Sequence, residues 1–181
     1  MKKFEKYLFF LLLTLTIPIF GQISEYSVKA AYLYNFAKFV EWPEGTFETD
    51  VSPILIGVVG EDPFGEALDQ AVEGKIIAGR ALRIKRFGTF DGTQVAQLRQ
   101  CQILFIAYSE KGSFPEILKA LKGTSVLTVS EIEGFPLVGG IVFFDLDGDR
   151  VTLGINLHAA RKANLTVNSK LLAVSKIYKS E

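Results

Sequence analysis

The apolar and polar positions along the chain mark out a helical opening, a middle of alternating strands and helices, and a β-rich end. Ile54–Val59 (ILIGVV) is an almost unbroken β-prone apolar run, the pattern of a strand covered on both faces in a parallel sheet. It leads into GEDPFG, where Gly60 and Gly65 bracket Glu61, Asp62, Pro63 and Phe64. Asp62 is expected to cap a helix that starts at Pro63, where a missing N–H is no loss, and runs to about Val72. Leu82–Phe87 alternates Leu82 and Ile84 with Arg83, Lys85 and Arg86 as a more exposed strand, and Gln94–Leu98 is a short helix. Ile103–Ala107 (ILFIA) is a second fully buried strand, Pro115–Leu121 a helix entered at Ser113 or Phe114, and Val126–Val129 a fourth strand. This alternation predicts an α/β fold: a mostly parallel sheet flanked by helices, flavodoxin-like or Rossmann-like in order, with right-handed crossovers.

The two ends depart from this rhythm. SEYSVKAAYLYNFAKFVEWP, from Ser24 to Pro43, reads as a helix capped by Ser24 and so apolar around its circumference that it must be buried, against the sheet or against a second subunit. Phe36 and Phe39 are the candidate contacts of a homodimer on that account. Tyr32, Tyr34 and Trp42 fall at helical spacing and are read as core rather than as an aromatic ligand box. Beyond the fourth strand, Gly134–Gly140 (GFPLVGG) is a loop, and IVFFDL and RVTLGI flank Asp147, Gly148 and Asp149 as a C-terminal β-hairpin. Two C-terminal helices are expected: NLHAARKANL, stopped at Asn164 in a left-handed conformation, and NSKLLAVSKIY, packing Leu171, Leu172, Val174 and Ile177.

The first residues look like an export signal. Lys2, Lys3 and Lys6 precede an apolar stretch from Tyr7 to Phe20 broken only by Thr14 and Thr16, and Gly21 is a credible cleavage position. Residues 1–21 are therefore expected to be a signal peptide and 22–181 a single domain in the periplasm; an uncleaved anchor over Phe4 to Ile23 is the alternative. No Cys follows the apolar run, which excludes a lipoprotein anchor. With 20 Lys+Arg against 20 Asp+Glu among 181 residues, no global field draws the chain to nucleic acid or an acidic lipid surface, so binding has to be local. At 49% hydrophobic with 15 Phe, the chain carries enough apolar surface for a substantial core.

Candidate chemistry is thin. The loop leaving a central strand is the usual ligand edge of such sheets, so Glu61, Asp62 and Phe64 are candidate ligand-binding residues, although GEDPFG lacks phosphate-loop spacing. DLDGD, Asp145 to Asp149, has the first acidic positions of a calcium loop, but its glycine is misplaced and its twelfth position is Asn156, so a hairpin turn is preferred. His158 is the only histidine and Cys101 the only cysteine, too few for a transition-metal site. Ser109 beside Glu110 has no GxSxG elbow, and no catalytic residue, metal or cofactor is assigned. Cys101 reads as a small buried hydrophobe that can form no intramolecular disulfide. Arg80, Arg83, Lys85 and Arg86 form the densest basic patch, read as a solvated strand face with anion binding as the alternative.

In their order, VKAAYLYNFAKFVEWP (from Val28), ILIGVVGEDPFGEALD (from Ile54), GRALRIKRF, CQILFI, LTVSE with GF, GGIVFF and INLHAARKANLTVNSKLL (from Ile155) resemble the YfiR-like family of exported bacterial proteins. Asn164 stands where the family usually has Gly, and Ala81 where it often has Pro. The resemblance implies a non-enzymatic periplasmic repressor. It implies, as partner, the periplasmic domain of an inner-membrane diguanylate cyclase or sensor, with an outer-membrane lipoprotein that sequesters the repressor. It also implies a homodimer; of the cysteines that brace such dimers only Cys101 has a counterpart here. A contact surface of this kind needs apolar residues that the core does not use. Phe135, Pro136, Leu137 and Val138 are the candidates, four consecutive apolar positions in an expected loop. The alternative function is a periplasmic binder of a small molecule or envelope fragment at the GEDPFG edge.

Overall fold

The computed structural model describes residues 24–178; the expected signal peptide, residues 1–21, lies outside that range. Helix α1, Glu25–Phe39, is started by Ser24, whose hydroxyl accepts the Ser27 amide at 3.1 Å, with Glu25 in its first turn and Lys38 in its last. It ends earlier than Pro43. Val40–Glu41 forms strand β1, antiparallel to β9 (Thr166–Val167), and the Asn168 amide donates to the Phe39 carbonyl at 2.8 Å. A β-branched residue with a partner strand available leaves the helix, a choice that only the distant residues 166–168 make visible.

Among the described residues the main sheet has eight strands; with β3 Ile76–Ile77, β8 Arg150–Asn156 and β10 Ser175–Tyr178, and the five named next, their order is β10-β8-β7-β6-β5-β2-β4-β3. Its heart is five parallel strands: β2 (Ile54–Val59), β4 (Arg80–Arg86), β5 (Ile103–Ile106), β6 (Leu127–Ser130) and β7 (Val142–Asp147). Across the sheet these lie second, first, third, fourth, fifth, the flavodoxin-like order, with its switch point between β2 and β5. Helices α2 (Glu66–Val72), α3 (Val95–Leu98) and α4 (Phe114–Ala120) occupy the connections. Alternate residues of one strand serve opposite faces. Ile103 and Phe105 join the cluster that includes α1 and α2, while Leu104 and Ile106 join the one that includes α3 and α4. Both faces are covered, so the strand reads as continuous apolar sequence. Each fully enclosed side chain of this kind contributes about 1.5–3 kcal/mol.

The C-terminal hairpin joins β7 antiparallel to β8 (Arg150–Asn156), with Asp147 opposite Arg150 and Gly148 (φ 60°) and Asp149 as its two-residue loop. Gly148 thus holds the first central position, where a type II′ turn wants φ > 0. Helix α5, Leu157–Lys162, follows, and Asn164 has the expected positive φ of 56°. The second C-terminal helix, α6, is only Ser169–Leu172, and the rest of the expected helix is strand β10, Ser175–Tyr178, parallel to β8. Two contacts explain the change. The Ser175 hydroxyl donates to the Leu171 carbonyl at 2.6 Å, and the Tyr178 ring lies over Gly154 of β8, where an added Cβ would stand 2.1 Å from it. Val174 and Ile177, which a longer helix would pack, are 64% and 39% exposed.

Two further departures are local. Ile76–Ile77, between the expected helix and the Leu82–Phe87 strand, is strand β3, paired antiparallel with β4 through a turn at Ala78 (φ 49°) and Gly79 (φ 80°). An alanine in the left-handed region gives no turn signal in sequence. Helix α2 starts at Glu66, after Gly65, and not at Pro63. Asp62 is occupied elsewhere: its carboxylate accepts the Phe64 amide at 2.8 Å and faces Arg86 Nε at 2.6 Å.

Candidate functional site

The segment Phe135–Val138 is a 3-10 turn between glycines that both have positive φ, Gly134 (81°) and Gly139 (103°). Phe135 is fully buried, its ring 5.9 Å from that of Phe114 and pressed onto Gly140, where a Cβ would stand 2.2 Å from the ring. The Gly140 amide donates to the Phe135 carbonyl at 2.9 Å. Pro136 is buried, and its carbonyl accepts the side-chain amide of Asn156 at 2.8 Å. Asn156 is itself buried and uses its other side-chain atom to cap α5, accepting the Ala159 amide at 2.9 Å. So pinned at both ends, the turn holds Leu137 at 80% and Val138 at 53% exposure. Of the four expected contact residues, two anchor the turn and two are displayed by it.

Leu137 stands between two clefts. One, of about 780 Å³, has Tyr108, Leu146 and Tyr178 among its walls and Lys29 in its lining. Lys29 is 2% exposed and bridges Glu25, one turn earlier in α1, and Glu131, just past β6. Its ammonium lies 4.7 Å from the Tyr26 ring centroid, and the Tyr26 hydroxyl donates to Glu131 at 3.1 Å. Burial, then the Glu131 charge, pushes the Tyr26 phenol up to about 12. The other cleft, of about 820 Å³, lies between α4 and α5. Val138 forms part of its wall, and Lys119, Lys122, His158 and Lys162 line it.

The GEDPFG edge is largely turned inward. Phe64 is buried, its ring 4.7 Å from Phe105 and 5.7 Å from Tyr26. Asp62 is held by Arg86, whose guanidinium also binds Asp69 through two nitrogens, at 2.6 and 3.2 Å, and the Gly65 carbonyl at 3.1 Å. Glu61 is exposed, and its amide donates to the Ser109 hydroxyl at 2.9 Å across the switch point. The neighbouring Glu110 is buried and accepts the Phe90 amide at 3.1 Å and the Ser113 hydroxyl. Ser109 and Glu110 thus stitch loops together, while His158 sits apart on α5.

The basic patch divides in the same way. Arg80 donates to the Thr49 and Ser52 carbonyls at 2.7 and 2.9 Å, and Arg86 serves Asp62 and Asp69. Cys101 is buried, and that burial pushes its thiol up to about 12, the condition of an inert packing residue. Among the described residues no group of three His, Cys, Asp or Glu is gathered as a metal site requires. Among those residues, too, no helix is long and apolar enough to cross a membrane.

Of the expected dimer contacts, Phe36 is fully enclosed in this chain's own core, stacked 6.0 Å from Phe144, and Phe39 is partly exposed. Sequence reasoning missed Lys29, Glu131 and Asn156. Glu25 and Lys29 at i and i+4 were legible as a helix pair, but not Lys29's burial, which depends on Glu131 102 residues away. Asn156 gave a signal as the residue between an apolar strand and LHAARK, the place of a helix cap.

Residues 26–176 match the YfiR/HmsC-like family. Among solved structures, the chain is similar to a conserved domain protein from Vibrio cholerae O1 biovar eltor, with a TM-score of 0.53 and 14% identity. The similarity covers 70% of this chain and 55% of that one, and at this identity it speaks to the fold alone. A search of curated protein sequences returns no match.

Proposed function

The chain belongs to the YfiR/HmsC-like family, and from that premise we propose that it is a periplasmic repressor of a membrane-bound signalling enzyme, a diguanylate cyclase in the first instance. In this reading residues 1–21 are removed on export and residues 22–181 act as one domain, binding the enzyme's extracytoplasmic part. An outer-membrane lipoprotein is a second partner that relieves repression, and the active form is a homodimer.

The observation that carries the reading is the clamped display of Leu137 and Val138. A buried phenylalanine, two left-handed glycines and a buried asparagine hold two aliphatic side chains in water, on a backbone with little freedom left to lose. Because ordering interface segments costs affinity, a preformed apolar ridge is the economical form of a contact site. Exposed aliphatic residues beside two clefts also fit the anatomy of an anchor that inserts into a partner's pocket.

The test is a deletion strain read by its cyclic di-GMP level. Loss of the gene raises the level, and the wild-type gene restores it. Leu137→Asp, exported and folded by circular dichroism, behaves like the deletion. Full repression by that variant removes the turn from the mechanism, and an unchanged level in the deletion strain, with the cyclase shown to be active, removes the repressor reading.

A further inference from the structure

We propose that the cleft between α4 and α5 receives an acidic segment of the protein partner, seated beside an apolar anchor on the Leu137–Val138 ridge. This rests on the reading of the turn as the contact surface and adds to it the chemistry and the orientation of what binds.

Charge distribution supplies the argument. The chain is balanced, with 20 Lys+Arg and 20 Asp+Glu, yet Lys119, Lys122, Lys162 and His158 line this cleft and, among the described residues, no Asp or Glu does. Two separate helices and the segment after α4 contribute these groups, so the convergence comes from the fold and not from one run of sequence. Among the described residues the ion pairs are those of Lys29 and Arg86, and none engages the three lysines. Outside the cleft, the Arg99 guanidinium donates to the Ala120 and Lys122 carbonyls at 2.9 and 3.3 Å, holding a further positive charge at the end of α4. The floor is apolar, with Leu121, Val126 and Ile141 in the lining.

The cleft on the other side of Leu137 has the opposite character. Among the described residues, Glu25, Glu131, Glu133 and Asp145 line it against the one cation Lys29. An acidic segment is therefore attracted on the Val138 side of the ridge and repelled on the Tyr108 side, which fixes the direction in which the partner lies. Charges at an interface rim act chiefly on specificity and encounter rate, so the lysines select the partner while the ridge provides the apolar contact. A lipid surface is the other anionic occupant. It is disfavoured because the lysines face a cleft of about 820 Å³ and not a flat face, and because the acidic cleft adjoins them.

The experiment compares three exported variants in the deletion strain: Leu137→Asp, the triple Lys119→Glu/Lys122→Glu/Lys162→Glu, and the milder triple with Gln at the same positions. The Glu triple is expected to raise cyclic di-GMP to the level of the deletion strain, and the Gln triple to an intermediate level. Changing an Asp or Glu of the cyclase's periplasmic domain to Lys is expected to restore repression by the Glu triple. Should the Glu triple fail to fold by circular dichroism, the Gln triple decides: an intermediate level supports the proposal and full repression overturns it. Full repression by both triples, with Leu137→Asp inactive, overturns the acidic-segment proposal and leaves the ridge standing. Full repression by all three variants overturns the ridge reading itself. Purified protein is also mixed with vesicles of phosphatidylglycerol, and no co-sedimentation is expected. Co-sedimentation that the Glu triple abolishes assigns the cleft to a lipid surface and overturns the proposal.

Discussion

Phe135 and Gly140 are held face to face: the phenylalanine ring lies where a side chain at 140 would be, with 2.2 Å between the ring and an added Cβ. The contact turns the 135–138 segment over, burying its first residue and exposing its third. A methyl group at 140 must push the ring out of its pocket beside Phe114 or lift the turn from β7. Gly140→Ala is expected to cost about 1–3 kcal/mol, the range for overpacking a filled core. Urea denaturation measures it, and a shift smaller than a few tenths of a kcal/mol would mean that the ring is free to move. If the turn is the contact surface of a repressor, the variant also weakens repression while its β-sheet signal persists.

Lys29 owes its place in the core to two carboxylates. Removing both leaves an uncompensated buried cation, so Glu25→Gln/Glu131→Gln is expected to cost about 3–5 kcal/mol, as for breaking a buried pair. Adding Lys29→Met to that double variant removes the stranded charge and is expected to recover most of the loss. A triple variant no more stable than the double, by urea midpoint at neutral pH, would show that the cluster stabilises through something other than charge compensation.

Arg86 gives a dependence on pH. Its hydrogen bonds, followed by its charge, hold the Asp69 carboxyl below the usual value of 3.8. A depressed folded value means that the stabilisation is fully present above about pH 3.8 and is lost as the pH falls through the lower folded value. Both side chains are well exposed, Asp69 at 54% and Arg86 at 38%, so the pair is worth at most about 1 kcal/mol. Arg86→Met is expected to lower the urea midpoint at about pH 6 and to converge on the wild type near pH 2. Equal separation of the two proteins at both pH values would remove Asp69 from the account.

The parallel heart of the fold was legible in the sequence because each strand carries its own evidence. ILIGVV and ILFI are apolar on both faces, and the helices between them have their own periodicity. What escaped was decided between distant segments. Val40 leaves its helix for a strand partner at Val167, and Ser175–Tyr178 becomes a strand because Gly154 leaves space for Tyr178. Both segments have helical spacing, and the β-prone residues within them, Val40, Ile177 and Tyr178, do not decide for a strand without those distant partners. The candidate site was half legible. Four apolar residues in a loop pointed to a surface, but which of them faces water follows from Gly140 and Asn156, whose side-chain sizes matter only once the turn is folded over them.

The last expectation concerns self-association. The first helix is apolar around most of its circumference, yet the chain itself uses much of that surface: Ala30, Leu33, Phe36 and Ala37 are buried against the sheet. Phe36 therefore cannot report on a dimer. Phe36→Asp places a charge among Tyr32 and Phe144 and is expected to unfold the protein, whatever its oligomeric state. Phe39 is the informative position. It packs at the margin of the core, remains partly exposed, and follows Lys38, whose ammonium lies 5.7 Å from its ring. If α1 forms the homodimer contact, Phe39→Asp keeps its circular dichroism spectrum while light scattering at micromolar concentration falls from the dimer mass to the monomer mass. A folded Phe39→Asp variant that stays dimeric moves the contact away from this helix. A wild type that scatters as a monomer over the same concentrations removes the dimer altogether.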